Sequence, residues 1–107
     1  MTEADMVIIE KLTELIGEEM EDAQRYAELA LKWKDDYPGA AEVAHRLAGE
    51  ETEHAKALHG AAAALIEEHR KTEGDPPAAL MAVYNYLHGK QVRKAAEVQA
   101  LRQMYGK

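Results

Sequence analysis

The sequence has no cysteine, no phenylalanine and only three prolines among its 107 residues. The absence of cysteine excludes disulfide bonds, iron–sulfur clusters, thiolate catalysis and all cysteine-ligated metal sites. Any metal chemistry must therefore use carboxylates and histidines. Alanine, glutamate, leucine and lysine are abundant, and these residues favour helices. We therefore expect an all-α protein, and the length corresponds to a single domain over residues 1–107.

Positive charge is also scarce, with 13 Lys and Arg against 20 Asp and Glu, so the net charge is -7. An acidic surface disfavours nucleic acid and anionic membranes as partners and suits the binding of cations. The longest apolar run, residues 61–66, is too short to span a bilayer, and the acidic residues 1–5 do not resemble a signal peptide. We expect a soluble, cytoplasmic protein.

Start and stop signals divide the chain into three predicted helices. Thr2 and Asp5 have the spacing of a capping box, Pro38 suits a first helical turn, and residues 74–77, Gly-Asp-Pro-Pro, form a second break. The short break before Pro38 predicts an antiparallel helical hairpin. We expect helices over about 3–35, 38–73 and 76–105.

Both hairpin helices carry an apolar stripe that polar residues interrupt. In the first helix Glu19 falls on the stripe, and in the second Glu51 and His54 do so. Polar residues aimed at a core are costly to bury unless a partner, often a cation, compensates them. The expected stripes are Ile9, Leu12, Ile16, Ala23, Tyr26, Ala30 and Trp33 in the first helix, and Ala40, Ala44, Leu47, Leu58, Ala61 and Leu65 in the second.

The three interruptions are expected to meet in space. Counted from the turn at Tyr37, Glu19 lies about 18 residues back, and Glu51 and His54 lie about 14 and 17 forward, so at roughly 1.5 Å per residue they share one level. Glu51 and His54, three residues apart, leave the same face of their helix. One chain thus offers two carboxylates and one imidazole.

This set is half of a known arrangement. Carboxylate-bridged dinuclear sites in four-helix bundles use a glutamate from each of two helices and a Glu-x-x-His pair from each of the other two. Two copies of the hairpin would supply that set, which predicts a homodimer or larger homo-oligomer sharing one dinuclear site. The donors suit iron or manganese, with zinc as an adventitious occupant. The alternative is a buried salt-bridge cluster, or a polar layer that sets helix pairing in a non-enzymatic oligomer or adaptor.

Other candidates remain open. Tyr26 is either a core residue or a hydroxyl bonded to a ligating carboxylate, and Glu97 is either a fourth ligand from the third helix or an exposed glutamate. Gly49 precedes Glu51 by two residues, as Gly17 precedes Glu19, which indicates a bulge, a close helix approach or merely a tolerated glycine. A second Glu-x-x-His pair, Glu42 and His45, lies off the stripe and is predicted to be surface. Surface positions or ordinary helix packing are expected for His59, His69 and His88.

Residues 18–26, in which a glutamate precedes a tyrosine by seven, and residues 50–54, Glu-Glu-Thr-Glu-His, resemble the ferritin-like superfamily in its rubrerythrin-like and encapsulated-ferritin-like branches. The resemblance covers about the first 70 residues; the third helix matches neither branch. It implies that Glu19, Glu51 and His54 are metal ligands and that Tyr26 is the tyrosine near a di-iron centre. The expected fold is a hairpin plus a third helix, paired with a second chain into a ferritin-like four-helix bundle.

The departures from these branches shape the expected function. A second intrachain Glu-x-x-His at the site and a cysteine-ligated rubredoxin module, both typical of rubrerythrins, are missing, so peroxide reduction by internal electron transfer does not follow. Encapsulated ferritins instead build their site across two chains, but their targeting extension is not recognisable in residues 99–107. The expected function is Fe(II) binding at the shared site and its oxidation by O2 or peroxide. Metal binding without oxidase activity is the alternative within the same family.

Overall fold

The computed structural model describes all 107 residues and contains three α-helices and no strands, which confirms the all-α prediction. The helices are α1 (Glu3–Trp33), α2 (Pro38–Glu73) and α3 (Ala78–Tyr105). The capping box is present, because the Thr2 hydroxyl accepts from the Asp5 amide and the Asp5 carboxylate accepts from the Thr2 amide, both at 3.1 Å. The third helix begins two residues later than expected, with Pro77 as its extended N-cap residue, because a residue that precedes proline disfavours the helical region.

A seam of alanines joins α1 and α2 into the antiparallel hairpin. Small side chains let two helices approach closely, so that short side chains from opposite helices can meet. This alanine seam consists of the buried residues Ala23, Ala27, Ala30, Ala41, Ala44, Ala48, Ala55 and Ala62.

Two residues of the predicted α2 stripe, Ala40 and Ala61, were out of phase by one position. The structure buries Ala41 and Ala62, whereas Ala40 and Ala61 are exposed. Each expected alanine has an alanine neighbour, so the sequence pattern did not distinguish the two phases. Close packing against α1 selects the phase that puts Ala48 and Ala55 into the seam.

The third helix lies mainly along α1 and touches α2 less. The Gln91 side chain donates to the Thr13 carbonyl at 3.2 Å, and the Lys94 ammonium donates to the Gln24 side chain, so α3 runs parallel to α1. Val98 joins the larger core cluster, and Tyr84 joins the smaller one. The molecule is an elongated bundle of 56 × 18 × 17 Å. None of the three helices combines the length and the apolar character that crossing a membrane requires.

Candidate metal centre

The structure brings Glu19 of α1 together with Glu51 and His54 of α2. One ligand atom from each residue lies within 4.8 Å of the others. His54 Nδ1 is 3.5 Å from Glu19 Oε2 and 3.8 Å from Glu51 Oε1. The hairpin thus gathers two carboxylates and an imidazole at one level, in agreement with the count from the turn.

The alanine seam holds the two carboxylates between the helices. Glu51 comes three residues after Ala48 and four before Ala55, both of which are buried, so it points toward the seam. Only 27% of the Glu19 side chain and 19% of the Glu51 side chain are exposed.

His54 differs from the expectation that it lies on the inward stripe, because 61% of its side chain is exposed. A residue three positions after Glu51 is rotated by about 60° from it at 3.6 residues per turn. Since Glu51 already lies at the edge of the seam, this rotation brings His54 to the rim of the site. Its ring caps the carboxylates from the solvent side.

The electrostatics of the cluster favour a bound cation. A hydrogen bond with Glu19, burial and the negative charge of Glu19 raise the pKa of the Glu51 carboxyl to about 7. Glu19 Oε2 is buried and has no hydrogen-bond partner. A cation would compensate both carboxylates and use the unpaired oxygen. Carboxylate oxygens with an imidazole suit iron, manganese or zinc, so the residues present fit such a metal.

Apolar side chains surround the cluster on the face of the hairpin that carries it. We call this the open face. On α1 the open face includes the residues four and seven positions before Glu19 and those seven and fourteen positions after it. On α2 it includes the residue four positions before Glu51 and those seven and fourteen positions after it. All of these side chains are half-buried: Leu12, Leu15, Tyr26, Trp33, Leu47, Leu58 and Leu65.

Tyr26 and Glu97, the two secondary candidates, do not join the cluster. Tyr26 is half-buried and packs against the larger core cluster, and its hydroxyl makes no hydrogen bond within the chain. Glu97 is exposed. Its neighbour Val98 is the residue that enters the core. The single chain therefore brings together three candidate ligands rather than four.

Sequence reasoning missed the role of α3 beside the site. A Cβ on Gly49 would lie 2.7 Å from the Arg102 guanidinium, so Gly49 leaves room for the Arg102 side chain of α3. No such neighbour lies within 4 Å of Gly17. The prediction that His45 is surface was wrong, because its ring stacks on Tyr105 at 4.3 Å and its Nδ1 is buried. Only knowledge of where α3 ends could have revealed these contacts.

Comparison with known proteins extends the resemblance beyond the hairpin. The model of the family described as Rubrerythrin matches residues 10–105, so the match includes α3, which the sequence reading had left outside. No curated protein and no solved structure matches the chain. The fold, the Glu/Glu/His group that could bind a metal and this nearly complete match lead to one conclusion. The chain belongs to the rubrerythrin family, whose ferritin-like members usually bind iron.

Proposed function

We propose that the protein binds Fe(II) at a dinuclear site shared by two copies of the chain and oxidises it with O2 or peroxide. The observation that carries this proposal is the convergence of Glu19, Glu51 and His54 within 4.8 Å. Membership of the rubrerythrin family supports iron as the metal. Manganese and zinc have compatible ligand preferences.

Two features of the chain support a shared site. One copy supplies two carboxylates and one imidazole, which is half of the set in a four-helix dinuclear centre. The open face around these ligands is apolar and half-exposed, so a second copy would bury it and complete the four-helix bundle. Tyr26, seven residues after Glu19, would lie in the interface near the metals.

The ligands would have different roles. Glu51, the more buried carboxylate, would bridge the two metals, His54 would hold each metal terminally from the rim, and Glu19 would cap the site. When bound, iron would supply the electrons that reduce the oxidant. The protein would fix the ligand geometry and exclude water through the apolar surroundings.

An anaerobic titration with Fe(II) tests the shared site directly. We expect binding to saturate at one metal per chain, with the protein in dimers or larger oligomers. Saturation at two metals per chain would overturn sharing, because each chain would then hold a complete centre. Absence of binding would overturn the metal function and favour a polar layer that sets helix pairing.

Two substitutions and one control assign the ligands. Glu51→Ala and His54→Ala should each abolish tight Fe(II) binding. Glu50→Ala should not, because Glu50 is exposed and faces Arg46 instead. Addition of O2 or peroxide to the loaded protein should produce ferric absorbance. If binding persists without that absorbance, the oxidase part of the proposal is wrong.

A further inference from the structure

The ring contacts between α2 and α3 run through histidines of α2. The His59 ring stacks on His88 at 4.5 Å between centroids, with 12° between the planes. His59 Nδ1 is also 3.3 Å from the Tyr84 hydroxyl oxygen. At the other end of α3, His45 stacks on Tyr105 at 4.3 Å. The α1–α3 contact uses an amide and an ammonium hydrogen bond, and the buried Val98 of α3 packs in a cluster with alanines of both α1 and α2.

The surroundings of His59 disfavour a positive charge. His88 and Tyr84 of α3 and Lys56 of α2 are the titratable groups that face it, and α1 contributes only Ile16 and Met20 to the same pocket. No carboxylate lines this pocket. Burial, followed by the charge of His88, lowers the pKa of His59. The stack is therefore more stable when the His59 imidazole is neutral.

The surroundings of His45 are similar. Arg102 and Tyr105 of α3 face it, Lys34 of α1 lies over the Tyr105 ring, and α2 contributes Arg46 and the exposed Glu42. Burial, followed by the charge of Arg102, lowers the pKa of His45. His45 Nδ1 is buried without a hydrogen-bond partner. A proton on this ring would add an unpaired charge next to cations.

We propose that His45 and His59 form a pH-sensitive latch that holds α3 against α2 while both imidazoles are neutral. Protonation releases α3 from α2, while α3 remains attached to α1 through Gln91 and Lys94. This inference does not depend on the proposed metal function, because neither histidine is a candidate ligand.

The direction of the pH effect follows from proton linkage. In the released state both imidazoles are solvated and have an ordinary pKa near 6.5, so this state binds more protons than the docked state. Docking is therefore strongest above about pH 6.5, and its equilibrium constant falls by up to about tenfold per pH unit per histidine below that value.

Release of α3 would open the groove behind Glu19 and Glu51. A pocket of about 190 Å³ lies between α3 and the hairpin. Thr52 and Ala55, which line it, are one and four residues from Glu51, and Met20 is adjacent to Glu19. Release of α3 at low pH would thus give water access to the side of Glu19 and Glu51 that faces α3.

Because the chain has no cysteine, paired spin labels can report the latch in the full-length protein. Ala57→Cys on α2 and Ala96→Cys on α3, both at exposed positions, form the test pair. Glu28→Cys on α1 with Ala96→Cys forms the reference pair. Labelled chains are diluted with unlabelled ones, and label distances are measured by pulsed electron resonance from pH 8 to pH 5.

We expect the α2–α3 distance to lengthen below about pH 6.5 while the α1–α3 distance stays constant. His45→Gln combined with His59→Gln should remove this change, whereas His69→Gln, which alters a histidine paired with Glu73, should retain it. An α2–α3 distance that is constant down to pH 5 would overturn the latch. So would a simultaneous change of both distances with loss of helical circular dichroism, because that result indicates global unfolding.

Discussion

Glu51 is costly to the fold in the absence of metal and is at the same time a candidate metal ligand. It lies in the alanine seam beside a second carboxylate, and this arrangement raises its pKa to about 7. A neutral amide of nearly the same shape would occupy the same place beside Glu19 without the charge. Without a bound cation, the Glu51 carboxylate therefore carries an electrostatic cost that the amide would not carry.

The variant Glu51→Gln should reveal that cost as a pH-dependent stability change. The folded-state pKa is raised above the unfolded value of 4.5, so the wild type loses stability as the pH rises from about 4.5 through about 7. At pH 8 the free energy of unfolding of the variant should exceed that of the metal-free wild type by on the order of 2–3 kcal/mol. At pH 5 the difference should be much smaller. Urea unfolding at both pH values, with chelator and at fixed protein concentration, measures this difference.

Glu50→Gln is the matched control, since Glu50 is the exposed neighbour of Glu51 on the same helix. Its stability should follow that of the wild type at both pH values. An equal gain in the free energy of unfolding for Glu51→Gln and Glu50→Gln at pH 8 would show that general charge reduction causes the stabilisation. Repulsion between Glu51 and Glu19 would then not be the cause.

Gly49 should respond to alanine differently from other helical glycines. Alanine stabilises a helix interior by up to about 1 kcal/mol relative to glycine. Gly60 is exposed with open space around its Cβ position, so Gly60→Ala should show this gain. Gly49→Ala must displace the Arg102 guanidinium, the far end of a flexible side chain, and should therefore gain somewhat less. Equal gains in urea unfolding would contradict a close approach at Gly49.

At the level of single residues, the spacing and phase of the sequence were sufficient to predict that Glu19, Glu51 and His54 lie together. The reason is that α-helical geometry fixes the height and the direction of each side chain within one hairpin. They did not predict how exposed each residue is. The position of His54 at the rim depends on where Glu51 lies across the seam. The contacts of His45 and Gly49 depend on α3, which is distant in sequence.

The alanine seam is the element that sets the distance between α1 and α2. A larger side chain in a closely packed seam forces strain or separation, which typically costs about 1–3 kcal/mol. Ala48→Leu, at a fully buried position one turn before Glu51, should destabilise the hairpin by this amount and weaken Fe(II) binding. Thermal unfolding and metal titration of the same sample measure both effects.

Ala57→Leu on the exposed side of α2 is the control for this prediction. It adds the same side chain to the same helix without entering the seam. If Ala48→Leu retains wild-type iron affinity, the spacing of the helices does not govern the site.

The elements themselves were predictable because caps and prolines end them, so the expected bounds lie close to those of α1, α2 and α3. The phase of α2 was less predictable. Alanine-rich stretches such as residues 61–64 have little contrast in hydrophobicity, and only packing against α1 selects the buried alanine.

At the level of the whole molecule, the open face predicts assembly. Leu58→Glu adds a charge seven residues after Glu51 on this face and should shift the protein toward monomers. Since the proposed centre needs two copies, iron binding should fall in parallel. Sedimentation velocity and metal analysis at one protein concentration measure both quantities.

Val83→Glu adds the same charge away from the open face, on α3, where Val83 is 59% exposed. It should leave both the oligomeric state and the iron content unchanged. A monomeric Leu58→Glu protein with full iron content would contradict the shared site.

The place of α3 could not be derived from the hairpin motifs. Its polar interruptions at Lys90, Gln91 and Lys94 looked irregular in the sequence, yet Gln91 and Lys94 bind α1 directly. The family model matches through residue 105, so α3 is part of the region that the chain shares with the family. Only the tertiary contacts show that α3 packs mainly along α1.

Glu19 and Glu51, the two candidate carboxylate ligands, belong to seven-residue repeats that follow the open face. Leu12, Glu19, Tyr26 and Trp33 are spaced by seven in α1, and Glu51, Leu58 and Leu65 are spaced by seven in α2. A straight α-helix drifts by about 20° per seven residues, so such a stripe winds slowly around its helix. A second copy can follow it along its length only if the paired hairpins coil around each other in a left-handed sense.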